Sequence, residues 1–185
     1  MSDRPEIIRV LVPLAPGAEE LEAVTIIDLL RRAGFSVVVA GLDGGPVECS
    51  RGTVILPDVP LADVLNDRFD LIVLPGGLPG ADHLRDDSRL QAMLLRQSEA
   101  GRLLGAICAA PKALASAGLL KGRRVTAYTG ALEDIGTPST GAAVEIDAGL
   151  VTGRGPGVAM DFTLALIEQL AGSEARVRVE GPLLR

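Results

Sequence analysis

Two stretches of this sequence hold side chains suited to covalent and proton-transfer chemistry. One is GAICAAPK at 105–112, which sets Cys108, one of only two cysteines, between an apolar run and a proline. The other is GAEELEAV at 17–24, which carries Glu19, Glu20 and Glu22. LLGAI reads as a strand, and AAPKALASAG as a helix whose proline falls in the first turn, where a missing N–H costs nothing. Cys108 then stands at a strand-to-helix turn. Backbone N–H groups without helical partners favour a thiolate there, and the expectation is a pKa well below the ordinary value of about 8.5. Taken alone, the same cysteine serves equally well as a small buried hydrophobe, a common fate of free thiols.

Glu22 differs from its acidic neighbours. Its helical row continues through Ile26, Leu29 and Ala33, so its carboxyl group is expected to point inward, whereas Glu19 and Glu20 suit the positive end of a helix. Desolvation raises a carboxylic acid's pKa, and a protonated glutamic acid can donate a hydrogen bond to a neighbouring thiolate. A third stretch, LPGGLPG at 74–80, ends another apolar run. Glycines there let backbone N–H groups turn into a cavity, so the N–H groups of Gly77 and Ala109 are candidates for an oxyanion hole over Cys108. As a plain turn, PGG is common. Cys49, in VECSRG, has no strand-to-helix setting and reads as structural or as facing a subunit contact. The sole histidine, His83, lies among charged residues and reads as a surface side chain. One histidine and two distant cysteines make no zinc site, and no metal is expected.

To meet, these residues need strands that run the same way. Apolar runs at 7–14, 36–42, 69–77, 103–108 and 123–128 alternate with helical patterns over about 19–33, 86–100, the PKALASAG stretch and about 156–171. Each strand followed by a helix means an α/β fold with a mostly parallel sheet, whose ligands bind beyond the strand carboxyl ends. Short alternating pieces near 47–57 and 143–152 read as small added strands decorating this core, and 129–142 as a mobile loop bordering the site. A chain of 185 residues, 48% of them hydrophobic, fits one domain spanning 1–185. A net charge of −6 without a basic cluster argues against nucleic acid and anionic membranes as partners. The start lacks a secretory h-region, the longest apolar window is interrupted by Pro111 and Lys112, and the two thiols form no CxxC, so a cytoplasmic location is expected.

In this fixed order, GAEELEAV, VLPGGLPGA and GAICAAPKAL resemble the ThiJ/PfpI superfamily, in the branch of the parkinsonism-associated protein deglycase. The likeness runs on through LLRRAGFSVVVAGL, VECSRG, GRGPGVAMDFTLALIEQL and VRVEGPLLR, and so covers nearly the whole chain. It implies a flavodoxin-like αβα sandwich, usually a homodimer, with Cys108 as the oxidation-prone reactive cysteine and Glu22 as its protonated partner. It also implies that Gly77 and Ala109 occupy the oxyanion position, and that Arg51 and the partner subunit's Arg32 lie near the site mouth. Ordinary surface charge is the other account of those two arginines. Two departures limit the likeness. Hydrolase-like relatives have histidine directly after the cysteine where this chain has Ala109, which disfavours peptide hydrolysis. Tyr128 stands where members of the deglycase branch can have histidine; its ordinary pKa near 10 makes it a poor proton shuttle.

Two functions follow as expectations. The first is a glyoxalase or deglycase that needs no cofactor, in which the Cys108 thiolate attacks a small aldehyde such as methylglyoxal, or its early adducts with an amine or thiol, and Glu22 moves protons. The second is a non-enzymatic oxidative-stress sensor or chaperone in which Cys108 oxidises to a sulfinate. GRGPG at 153–157 misses the spacing of both nucleotide-binding fingerprints.

Overall fold

The computed structural model describes residues 7–185. Its main sheet is built from β1 (Arg9–Leu14), β2 (Ser36–Gly41), β5 (Val59–Pro60), β6 (Leu71–Leu74), β7 (Leu103–Ile107), β8 (Val144–Asp147) and β9 (Leu150–Gly153), in the order β5-β2-β1-β6-β7-β9-β8. All neighbours are parallel except β8 and β9. The two-residue period of a strand sends Val10, Val12 and Leu14 of β1 into one layer and Leu11 into the other; Leu71 and Val73 oppose Ile72 and Leu74 in the same way on β6. Because both faces are covered, these strands are apolar throughout rather than alternating.

One layer is formed by α1 (Glu20–Arg32) and α5 (Ala159–Glu180), which pack on each other and set Ile26, Leu30, Phe162 and Leu166 against the sheet. The other contains α2 (Gly80–Asp86), α3 (Ser88–Glu99) and α4 (Pro111–Ser116), with Leu84, Leu90, Leu94 and Leu114 in its core. Asp87 separates α2 from α3 and caps α3, its carboxylate accepting from the N–H groups of Arg89 and Leu90 at 2.9 and 3.1 Å. The pattern ending near residue 171 stops where expected. Gly172 (φ 82°, ψ 172°) breaks α5, and a second helical piece runs on to Glu180. No helix among the described residues is long and apolar enough to cross a membrane.

The flavodoxin-like αβα sandwich with a mostly parallel sheet is the fold expected from the sequence, and the 47–57 region is a small antiparallel hairpin of β3 (Val47–Glu48) and β4 (Val54–Ile55). Two expectations are corrected. Residues 123–128 are not a strand of the sheet, and the place beside β7 belongs to β9, so the 143–152 pieces are part of the core rather than decoration. Val125 makes only an isolated bridge to Ser139. The N–H groups of Thr126 and Ala127 donate to the side chains of Thr152 (2.9 Å) and Ser139 (3.1 Å), which replace a strand ladder.

Candidate active site

The sheet is doubly wound about β1: β2 lies on one side and β6 on the other, the switch point outside whose carboxyl ends α/β proteins bind ligands. Three segments leave that edge together. The chain after β1 enters α1 with Glu22 in its first turn, β6 runs into Gly76 and Gly77, and β7 ends at Cys108.

Cys108 has φ 61°, in the left-handed region that a non-glycine residue occupies at a cost of about 1–2 kcal/mol. Two backbone bonds hold it there: its N–H donates to the Gly153 carbonyl (2.9 Å) and its own carbonyl accepts from the Tyr128 N–H (2.8 Å). The turn sends the side chain over Gly76. A Cβ on Gly76 would stand 2.7 Å from Cys108 Cβ and 2.8 Å from Glu22 Oε2, so only glycine lets the two side chains meet. Glu22 is wholly buried; its Oε2 accepts from the Gly76 N–H at 2.7 Å, and Oε1 has no conventional partner. The carboxyl's side-chain neighbour is the Cys108 thiol.

Burial pushes the Glu22 carboxyl up to about 7, opposed by the Gly76 N–H and the thiol and reinforced by the charge of Glu19. Burial, followed by an ionised Glu22, pushes the Cys108 thiol up to about 12, against the N–H groups of Gly77 and Ala109, which face the sulfur. The expected low thiol pKa is therefore corrected. Beside a carboxylate, two N–H groups do not offset desolvation, and α4, of six residues, adds little dipole. Thiolate and carboxylate avoid coexisting, so the pair holds a single negative charge over a wide pH range. When Glu22 keeps the remaining proton it donates to the sulfur, and the charge rests where two backbone N–H groups point.

The structure brings Cys108, Glu22, Gly77 and Ala109 together and sets the accessory residues further out. Tyr128 is tied to Cys108 through its backbone; the residue is 55% exposed, and its ring lies beside Gly155. Arg51 is exposed on the hairpin, its N–H donating to Glu20 at 3.0 Å, and Ser50 Oγ lies 2.9 Å from Glu19, which pins the hairpin to the start of α1. Arg32 pairs with Asp28 (2.6 Å) at the far end of α1, roughly 15 Å along the axis from Glu22. His83 is exposed, as expected, and its Nδ1 lies 3.0 Å from the Pro16 carbonyl. Cys49 is buried, and its thiol is pushed up by burial and by the carboxylates of Glu20 and Glu19. Sequence reasoning passed over Gly76 and Gly153. The first was visible in PGG; nothing local marked the second.

Beyond Tyr128 lies a cleft of about 590 Å³ walled by the 129–142 loop, with Thr129, Glu133, Ser139 and Arg154 among its lining residues. A smaller recess of about 220 Å³ runs along Arg154–Val158.

Comparison with known proteins agrees with this fold. The model of the DJ-1/PfpI family matches residues 8–169. Protein dj-1beta of Drosophila melanogaster is 45% identical over 178 residues, covering 94% of this chain and 95% of that protein. The glutathione-independent glyoxalase DJR-1.2 of Caenorhabditis elegans is 38% identical over 176 residues, covering 94% of each. The chain spans only 41% of the length of protein DJ-1 homolog B of Arabidopsis thaliana, to which it is 43% identical over 180 residues. Among solved structures, oxidized Toxoplasma gondii DJ-1 superposes with a TM-score of 0.91 at 41% identity, covering 96% of this chain and 98% of that one.

Proposed function

Since this chain belongs to the DJ-1/PfpI family, we propose that it is a glyoxalase and deglycase that needs no cofactor, acting on α-oxoaldehydes of the methylglyoxal type or on their early adducts with amines and thiols. The observation that carries this reading is the contact of the buried Glu22 carboxyl, raised to about 7, with the Cys108 sulfur beneath the N–H groups of Gly77 and Ala109. A carboxyl group titrating near neutrality both gives and takes protons at working pH. The nematode relative's name supports the glyoxalase part of this reading.

In this reading the ionised Glu22 takes the proton of the Cys108 thiol and passes it to the aldehyde oxygen as the sulfur adds to the aldehyde carbon, leaving a hemithioacetal and an ionised Glu22. Gly77 and Ala109, already facing the sulfur, stabilise negative charge as it grows on that oxygen. Glu22 takes the proton from the same carbon and returns it to the neighbouring ketone carbon, while the hydroxyl proton passes to the ketone oxygen, which yields a lactoyl thioester. Water cleaves the thioester to lactate and frees the sulfur. The aldehyde carbon is oxidised and the ketone carbon reduced, so no redox partner is consumed. Ala109 and Tyr128 provide no imidazole, and turnover is correspondingly modest, since general acid–base groups typically contribute about 10²–10⁴-fold. Lactate release from methylglyoxal by Cys108→Ser tests this: loss of about a hundredfold or more is expected, and undiminished release sinks the reading.

The N–H groups facing the sulfur favour a second reading, a sensor of oxidative stress. Two molecules of hydrogen peroxide convert the thiol to a sulfinate with release of two waters, and Glu22 with the two N–H groups holds the anion. Intact mass after graded peroxide should show two oxygens gained at Cys108 before Cys49 reacts; oxidation of Cys49 first excludes it. For quaternary structure, the exposed Leu21 and Val24 of α1, with Val54 and Leu56 at the hairpin, support a homodimer, and two free thiols support a cytoplasmic setting.

A further inference from the structure

The cleft of about 590 Å³ and the recess of about 220 Å³ share three residues, Tyr128, Thr129 and Arg154. Each brings a donor: a phenol, a hydroxyl and a guanidinium. Tyr128 also connects this junction to the nucleophile, because its N–H bonds the Cys108 carbonyl at 2.8 Å. The Arg154 guanidinium donates to the Gly141 carbonyl at 3.0 Å, and among the described residues no carboxylate pairs with it. Among the described residues the one acidic wall residue, Glu133, belongs to the larger cleft alone, so an anion is favoured at the junction over the Glu133 wall. The cleft's size falls in the roughly 300–1,000 Å³ range that accommodates ligands many times larger than a three-carbon aldehyde.

We propose that Arg154, Tyr128 and Thr129 form a carboxylate-binding subsite beside Cys108, which selects carboxylate-bearing adducts of α-oxoaldehydes over neutral adducts and over the free aldehyde. The carboxylate lies at the junction, the rest of the thiol or amine portion fills the larger cleft, and the oxoaldehyde carbon faces the sulfur. The choice of substrate rests on the catalytic reading above; the binding arm of the test does not.

The kinetic arm compares lactate release from the methylglyoxal hemithioacetals of N-acetyl-L-cysteine, which bears a carboxylate, and N-acetylcysteamine, which lacks it. The native protein should prefer the first by about tenfold in kcat/KM, the scale of one charge-assisted hydrogen bond. Arg154→Gln should bring the ratio near one, and Arg154→Lys should retain part of it. Loss of the Gly141 tether alone would lower both substrates alike and leave the ratio standing, which overturns the proposal. The binding arm titrates Cys108→Ser protein with the S-lactoyl thioesters of the same two thiols. The carboxylate thioester should bind about tenfold more tightly, and this difference should vanish with Arg154→Gln; equal binding of both overturns the subsite. A binding preference without catalysis in the native protein upholds the subsite while sinking the catalytic reading.

Discussion

Replacing Glu22 by Gln keeps the shape of the side chain and removes its titration, which isolates the energetic consequence of burying an acid beside a thiol. Below pH 4.5 the carboxyl is protonated in both the folded and the unfolded chain. Between 4.5 and about 7 only the folded chain keeps the proton, and above about 7 it carries a buried charge that the unfolded chain exposes to water. A folded-state pKa raised in this way gives stability that is fully present below 4.5 and is lost as pH rises through about 7. The rise from 4.5 to about 7 corresponds to about 3 kcal/mol. Glutamine has no proton to lose, and its carbonyl oxygen can accept from Gly76 as Oε2 does. Urea unfolding of both proteins from pH 4.5 to 8.5 should therefore show Glu22→Gln gaining about 3 kcal/mol on the native protein across that range, about 6–12 °C in Tm for a chain of this size. Carboxylates that do not interact with Glu22 drop out of the difference. A difference that stays flat with pH would refute the buried, proton-holding Glu22 and the mechanism that depends on it.

Other changes probe the supports of the site. Gly76→Ala places a Cβ 2.7 Å from Cys108 Cβ and 2.9 Å from the Ile107 carbonyl, so it should part the Cys108–Glu22 pair, lower stability by about 1–3 kcal/mol and cut lactate release at least tenfold, read by urea unfolding and a lactate assay. Asp87→Ala removes the cap of α3 well away from the pair; a loss of about 1 kcal/mol, or about 2–4 °C in Tm, with unchanged lactate release is expected from thermal unfolding and the same assay. Val24→Lys puts a charge on the exposed apolar face of α1 and should leave a folded monomer in sedimentation, whereas an intact dimer would locate the subunit contact elsewhere.

Much of the architecture could be read from residue order alone. Strand runs apolar on both faces and separated by helical periods require a parallel sheet between two helical layers, because no other arrangement covers both faces. The same logic put Glu22 on the buried row of α1 and Cys108 at a strand end. It failed at 123–128, where RRVTAY has strand composition while the N–H groups of Thr126 and Ala127 are taken by the Thr152 and Ser139 side chains, and at 143–152, read as added strands although LVTG takes the core place beside β7. Strand membership there is decided by which neighbour provides the ladder.

What the sequence determined by itself is the set of candidate reacting groups: a cysteine at a turn, a glutamate on an apolar stripe, glycines able to turn their N–H groups inward, and no histidine beside the thiol. Local pattern carries these because each depends on residues a few positions away. The tertiary structure decided where the proton sits. The Cys108 thiol was expected low because a helix start lay next to it, and is raised because burial and the Glu22 carboxyl, contributed by a distant part of the chain, outweigh two backbone N–H groups. Desolvation and the field of a neighbouring charge are properties of the assembled space, and only folding brings Glu22, Gly76 and Cys108 close enough to share one proton.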